Sequence, residues 1–271
     1  MYWNLLGILL IVCTALCAVG FWKFVYFLSV GYGLAIAGGG VTALIMYLTA
    51  PTATPLWIVM VQALLFVAYG VRLSGFLLVR EFKSASFRKT DVAKQSLAKN
   101  DEKKMPVFVL VSIWLCVAVL YVAQVSPMLF RFKNADVDVV VPLIGFVISV
   151  AGLVLESAAD RQKSAQKKLR PDMVATQGLY RIVRCPNYLG EILFWTGVFV
   201  SGLTTYRGAG QWITVILAYI CIVYIMFNGA QRMEKRQMKQ YGAKPEYREY
   251  ADRTPIILPF VPIYHLNRKE Q

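Results

Sequence analysis

Long apolar runs separated by short, basic connections set the pattern of this chain. In lipid every backbone N–H and C=O must be satisfied within its own segment, and a helix of about 20 apolar residues is what crosses ~30 Å of hydrocarbon. The pattern predicts seven such spans, at 4–20, 24–48, 56–79, 107–130, 139–157, 188–203 and 212–228. The expected fold class is therefore all-α: a polytopic transmembrane helical bundle of about seven spans, folding as a single integral membrane domain over residues 1–271. The sixth span is the shortest. The fifth runs on beyond the apolar stretch as a polar helix, ESAADRQKSAQKKLRP from Glu156.

Composition agrees with a membrane protein: 58% of the 271 residues are hydrophobic and mean hydropathy is +0.54. The net charge of +14 changes the picture through its distribution. One set of connections holds Lys23, eight lysines and arginines between Arg80 and Lys104, seven between Arg161 and Arg184, and nine from Arg232 onward. The opposite set holds Arg131, Lys133 and Arg207. By the positive-inside rule the N-terminus is outside and the C-terminus cytosolic. Cations so placed orient the chain and meet anionic membrane lipids, and they lack the aromatic-studded groove of a nucleic-acid footprint. No nucleic-acid partner is expected.

Of the five cysteines, Cys13, Cys17, Cys116 and Cys221 fall in apolar runs and read as buried small hydrophobes; Cys185 lies in a basic turn. With one histidine, His265, a multi-histidine metal site is excluded, and no metal is expected. The N-terminal run lacks a basic leader and an A-x-A-like cleavage site, so it reads as a retained first span. The second span carries Gly31, Gly33 and Gly38-Gly39-Gly40; Ile36 breaks any GxGxxG pattern, which leaves close helix packing as the reading. The mixed-charge loop 80–105 is expected to be a solvated hairpin or interfacial helix without chemistry, and Asp136 and Asp138 are given a bland surface role.

Candidate chemistry centres on QGLYRIVRCPNYLGEILFWTGVFVSGL, residues 177–203. A basic turn with Arg181, Arg184 and Pro186 leads into an apolar helix bearing one carboxylate, Glu191. A charge in mid-membrane costs roughly 2.5 to 3.5 kcal/mol on insertion scales, so an acid near the membrane mouth is a functional candidate. Glu156, Asp160, Lys163 and Lys167 share a helical stripe at the exit of the fifth span. Lys163, Lys167, Arg181 and Arg184 together suit a pyrophosphate or phosphorylated ribose. In the third span Tyr69 and Arg72 share a face with Gln62 nearby. The intramembrane Arg72 needs a carboxylate, a carbonyl or water, and Glu156 or Glu191 could supply the first, with Arg72 serving either in a structural pair or on a cofactor or substrate. The segment 256–263, with three prolines, is too short to span and is expected to lie in the interface or cap the cytosolic mouth.

Ala159-Asp160-Arg161-Gln162-Lys163, Gly178-Leu179-Tyr180-Arg181, Arg184-Cys185-Pro186-Asn187-Tyr188-Leu189-Gly190-Glu191, Glu246-Tyr247-Arg248-Glu249-Tyr250 and Thr254-Pro255 together resemble the steroid 5-alpha-reductase C-terminal domain family. The likeness is nearest to its branch reading ADxQK, GLxRxxRHPNYxGE and EYxxYxxRT. It is strong over about the last 120 residues and weaker before them. The resemblance implies a membrane reductase that binds NADPH facing the cytosol, in a bacterial inner membrane or the endoplasmic reticulum. Its implied reaction is reduction of a conjugated C=C bond in a lipid-like, steroid- or isoprenoid-type substrate. It further implies cofactor contacts at Asp160, Lys163 or Lys167, Asn187, Tyr188 and Glu191, with Arg232, Glu234 and Arg236 in the corresponding last helix. Tyr69, in VAYGVR, matches the family's substrate-side tyrosine and would donate to the carbonyl oxygen as an enolate forms. Position 185 holds cysteine where the branch has histidine, and no acid precedes Glu81. Two other readings stay open: an S-adenosylmethionine-dependent membrane methyltransferase, whose tail motif is similar, and a non-enzymatic lipid-binding membrane protein.

Overall fold

The computed structural model describes residues 2–83 and 106–267. Eight α-helices carry these residues: α1 Tyr2–Cys17, α2 Val30–Thr49, α3 Leu56–Lys83, α4 Val107–Lys133, α5 Val140–Leu169, α6 Pro186–Ser201, α7 Gly208–Tyr241 and α8 Pro245–Arg253. Among the described residues there is no strand. The fold class is all-α, and six helices are long and apolar enough to cross a membrane: α1 with its following turn, α2, α3, α4, α5 and α7. The expected sixth span corresponds to α6, whose 16 residues make a rod of roughly 24 Å at 1.5 Å each, shorter than the hydrocarbon core. The polar extension of the fifth span is helical through Leu169, as the charge stripe predicts. Of the loop expected to be a hairpin, the start continues α3 as helix through Lys83, and residues 84–105 lie outside the described residues.

The chain forms two compact units, one from 1–142 and 202–218, the other from 143–201 and 219–271. In the first unit α2 and α3 approach at their glycines. A Cβ on Gly33 would collide with the Gly70 carbonyl, and one on Gly40 would lie 2.8 Å from the Phe66 Cβ. Ser74 closes the contact by donating to the Val30 carbonyl at 3.0 Å. Without a hydrophobic force between helices in lipid, such backbone proximity is what holds them. Cys13 and Cys17 are buried against α2, their thiols directed at the Ala35 and Gly31 carbonyls. Cys116 and Cys221 depart from expectation, because they stand on the outer faces of their helices and are exposed.

Beyond α4 the bland reading of Asp136 gives way to a buried ion pair. Arg131 donates to Asp136 at 3.0 Å with side chains 3% and 8% exposed, and Thr204 donates to the same carboxylate at 2.9 Å. Arg131 thus belongs to the helix end rather than to a solvated connection, because the chain doubles back through Asn134, whose amide donates to Thr205 and Gln211.

In the second unit α5 and α6 pack antiparallel through small residues. Gly145 and Gly152 of α5 face Gly197 and Gly190 of α6, and Ser149 donates to the Phe194 carbonyl at 3.0 Å. This places Glu156 against Gly190, where an added Cβ would lie 2.6 Å from the Glu156 nitrogen. Segment 256–263 folds back on its own unit: Ile256 and Ile257 are fully buried, and Ile256 N–H donates to the Ile263 carbonyl at 2.9 Å. Phe260, with φ of 64°, forms its exposed tip.

Candidate functional site

The polar end of α5 grips the loop that precedes α6. Gln162 Oε1 accepts from Leu179 N–H at 2.9 Å, and Gln166 Oε1 accepts from Thr176 and Gln177 N–H at 2.9 and 3.0 Å. Gly178 between them has φ of 64°, and a Cβ there would strike the Gln162 carboxamide. The glutamine of ADRQK and the glycine of GLYR are therefore two halves of one joint. Tyr180 seals it, donating to the Ala159 carbonyl at 3.3 Å while its own carbonyl accepts from Tyr250 at 2.7 Å. Burial, with Asp160 adding to it, holds the Tyr180 phenol above its ordinary pKa, so it stays a neutral donor.

The turn itself is held by the tail. Arg184 N–H donates to the Pro255 carbonyl and Cys185 N–H to the Ile256 carbonyl, both at 2.8 Å. The Arg184 guanidinium is buried and donates to Glu234 at 2.8 Å and to the Tyr264 carbonyl. Glu234 Oε2 accepts from Leu266 N–H at 2.9 Å, Asn267 N–H at 3.1 Å and Asn267 Nδ2 at 2.8 Å. His265 bridges two acids, Nδ1 3.0 Å from Glu234 and Nε2 2.8 Å from Asp252. Cys185 is enclosed here; burial pushes its thiol up to about 12 against the opposing pull of Lys163 and Arg184.

Two cations expected on an anionic cofactor thus have partners within the protein. Besides the Arg184 pair, Lys167 donates to the Pro171 and Met173 carbonyls at 3.1 and 2.7 Å and to the Tyr241 hydroxyl at 2.7 Å, which uses all three ammonium hydrogens. Arg181, Arg232 and Arg236 are exposed, and Lys163 and Asp160 are half-buried. At the start of α6, Asn187 and Tyr188 are half-buried, with Tyr188 over Gly229 of α7, and Glu191 is buried. Glu156, at the α5–α6 contact, and Glu191, on α6, are both buried.

The tyrosine expected on the substrate side lies in the first unit. Tyr69 is fully buried, and its ring meets Tyr32 edge-on at 5.7 Å. Tyr32 stacks on Tyr121 at 4.8 Å, and Tyr121 donates to the Phe27 carbonyl at 2.6 Å. Arg72, also in this unit, lies 5.6 Å from the Phe76 ring centroid. Glu156, its proposed partner, belongs to the second unit. Sequence reasoning missed Glu234 as the centre of the tail network; a lone carboxylate on a basic helix was the available signal. It also missed Gln124, a buried amide in the apolar α4.

Steroid 5-alpha-reductase DET2 of Gossypium hirsutum is 23% identical to this chain over 258 residues, covering 89% of the chain and 91% of the relative. The alignment thus spans both units. Residues 32–254 match a family model described as Protein of unknown function (DUF1295), and the chain belongs to that family.

Proposed function

We propose that this protein is a membrane-embedded NADPH-dependent reductase of a conjugated C=C bond in a lipid-like substrate, its cofactor site facing the cytosol. The observation that carries the reading is the near end-to-end likeness to a steroid 5-alpha-reductase. The donor set fits a dinucleotide phosphate. Exposed Arg181, Arg232 and Arg236 and half-buried Lys163 would supply cations for phosphates. Asn187 and Tyr188 offer amide and hydroxyl groups, and Asp160 and Glu191 offer acceptors for ribose hydroxyls. Arg184 and Lys167, engaged by Glu234 and by Tyr241, would hold the surrounding chain in place rather than meet the cofactor.

When bound, NADPH would supply a hydride to the β-carbon of an enone. The chain's own work is then at the carbonyl oxygen and the α-carbon. Tyr69 would donate a hydrogen bond to the oxygen as negative charge develops there, and a proton from solvent water would reach the α-carbon to complete the saturated ketone. The dry aromatic setting of Tyr69 strengthens that hydrogen bond.

Thermal unfolding of the detergent-purified protein with NADPH, NADH and S-adenosylmethionine tests the reading. A ligand at about 100 times its dissociation constant stabilises by roughly 2.7 kcal/mol. Stabilisation selective for NADPH and reduced by Glu191→Gln is the expected result. Stabilisation by S-adenosylmethionine alone would establish the methyltransferase reading instead, and silence from all three would favour a non-enzymatic lipid-binding protein. Turnover of an enone lipid unchanged in Tyr69→Phe would remove Tyr69 from the mechanism.

A further inference from the structure

We infer that Gln124 is a second ligand-contacting residue of the first unit, its side-chain N–H directed at the carbonyl oxygen of an otherwise apolar ligand beside Tyr69. Gln124 is 3% exposed, yet neither its Nε2 nor its Oε1 has a hydrogen-bond partner among the described residues. A leucine or methionine at this position would fill the space without burying an unpaired amide, so the native choice is destabilising unless something else meets it.

Helix register fixes what stands near it. Gln124 is three residues beyond Tyr121, hence on the same face of α4. Tyr121 stacks on Tyr32 of α2, and Val125 meets α2 at Gly39, where an added Cβ would lie 3.0 Å from the valine Cγ2. Gln124 is therefore level with the Tyr32–Gly39 tract. That same tract packs on α3 between Phe66 and Gly70, the turn that carries Tyr69. Three helices bring Tyr32, Tyr69, Tyr121 and Gln124 within about 10 Å of one another along the helix axes, seven residues at 1.5 Å each. An aromatic wall with one unpaired amide suits a flat ring system bearing an oxygen atom, with the amide N–H on a ketone and its carbonyl free for a hydroxyl or water.

The inference rests on the reductase reading, in which the same ketone oxygen meets Tyr69. Two donors on one oxygen would share the charge of the developing enolate.

The test compares wild type with Gln124→Met in the detergent-purified full chain, using progesterone as the enone probe. Gln124→Met is expected to melt at or above the wild-type temperature without ligand, to bind progesterone about tenfold more weakly, and to keep the wild-type shift with NADPH. A lower melting temperature would show an amide satisfied by the fold and overturn the inference, as would unchanged progesterone affinity. Wild type that responds to NADPH but takes up no progesterone overturns the role of Gln124 and leaves the reductase reading standing. Progesterone binding weakened in Gln124→Met without any NADPH response supports the role of Gln124 and overturns the cofactor. Silence toward both ligands overturns both.

Discussion

The buried Arg184–Glu234 pair should be asymmetric in its response to substitution. The side chains are 1% and 3% exposed, so neither charge is screened by water. In Glu234→Gln the guanidinium keeps one acceptor, the Tyr264 carbonyl, and its charge is left buried and uncompensated. Breaking a buried pair in this way costs about 3–5 kcal/mol. In Arg184→Met the carboxylate keeps Leu266 N–H, Asn267 N–H and Asn267 Nδ2, along with His265. The loss is then near that of one hydrogen bond to a charged group, about 1.5–3 kcal/mol. The double substitution should cost less than the sum, since each single change removes the same contact. Chymotrypsin cleavage after Tyr264 reads the open tail, because cleavage tracks the open population when reclosing is fast. At a factor of ten per 1.4 kcal/mol, Glu234→Gln should be cut roughly 150- to 4000-fold faster than wild type and Arg184→Met roughly 10- to 150-fold faster. Equal rates for the two, or additive effects in the double substitution, would refute the assignment of Glu234 as the hub.

The α5–α6 contact should not admit a side chain: Gly190→Ala is expected to lower stability by about 1–3 kcal/mol by overpacking, while Gly75→Ala, which meets nothing within 4 Å, should be neutral or stabilising. Thermal unfolding in detergent separates the two. Cys185, its thiol pushed up from 9.0 to about 12 by burial, should resist iodoacetamide at pH 8 and react once the chain is unfolded, as read by site-resolved mass spectrometry. Because the folded state favours the protonated thiol, its contribution to stability is full below pH 9 and is lost as pH rises toward about 12.

The helices were legible because lipid imposes a length and a composition that a single segment displays by itself. The second-span glycines likewise announced close packing, and Gly33 and Gly40 do meet Gly70 and Phe66. What sequence could not show was competition for charges across long separations. Arg184 and Lys167 read as phosphate cations because their positive charge is local, whereas Glu234, Tyr264 and Tyr241, which engage them, lie 50, 80 and 74 residues away. Gln162 illustrates the same limit: it reads as part of a motif, and only its hydrogen bond to Leu179 shows that it serves the joint beneath the basic turn. Gln124 was invisible for another reason, since one amide in an apolar helix has no partner in sequence to mark it.

The backbone bonds from Arg184 and Cys185 to Pro255 and Ile256 also bear on how the protein is made. Synthesis delivers the basic turn some seventy residues before the segment that fixes it, with α6 and α7 in between. The Arg184 and Cys185 amides therefore gain these acceptors only once translation has passed Ile256. A nascent chain ending before Pro255 would carry every residue of the turn and of α6 without the two backbone bonds that hold the turn.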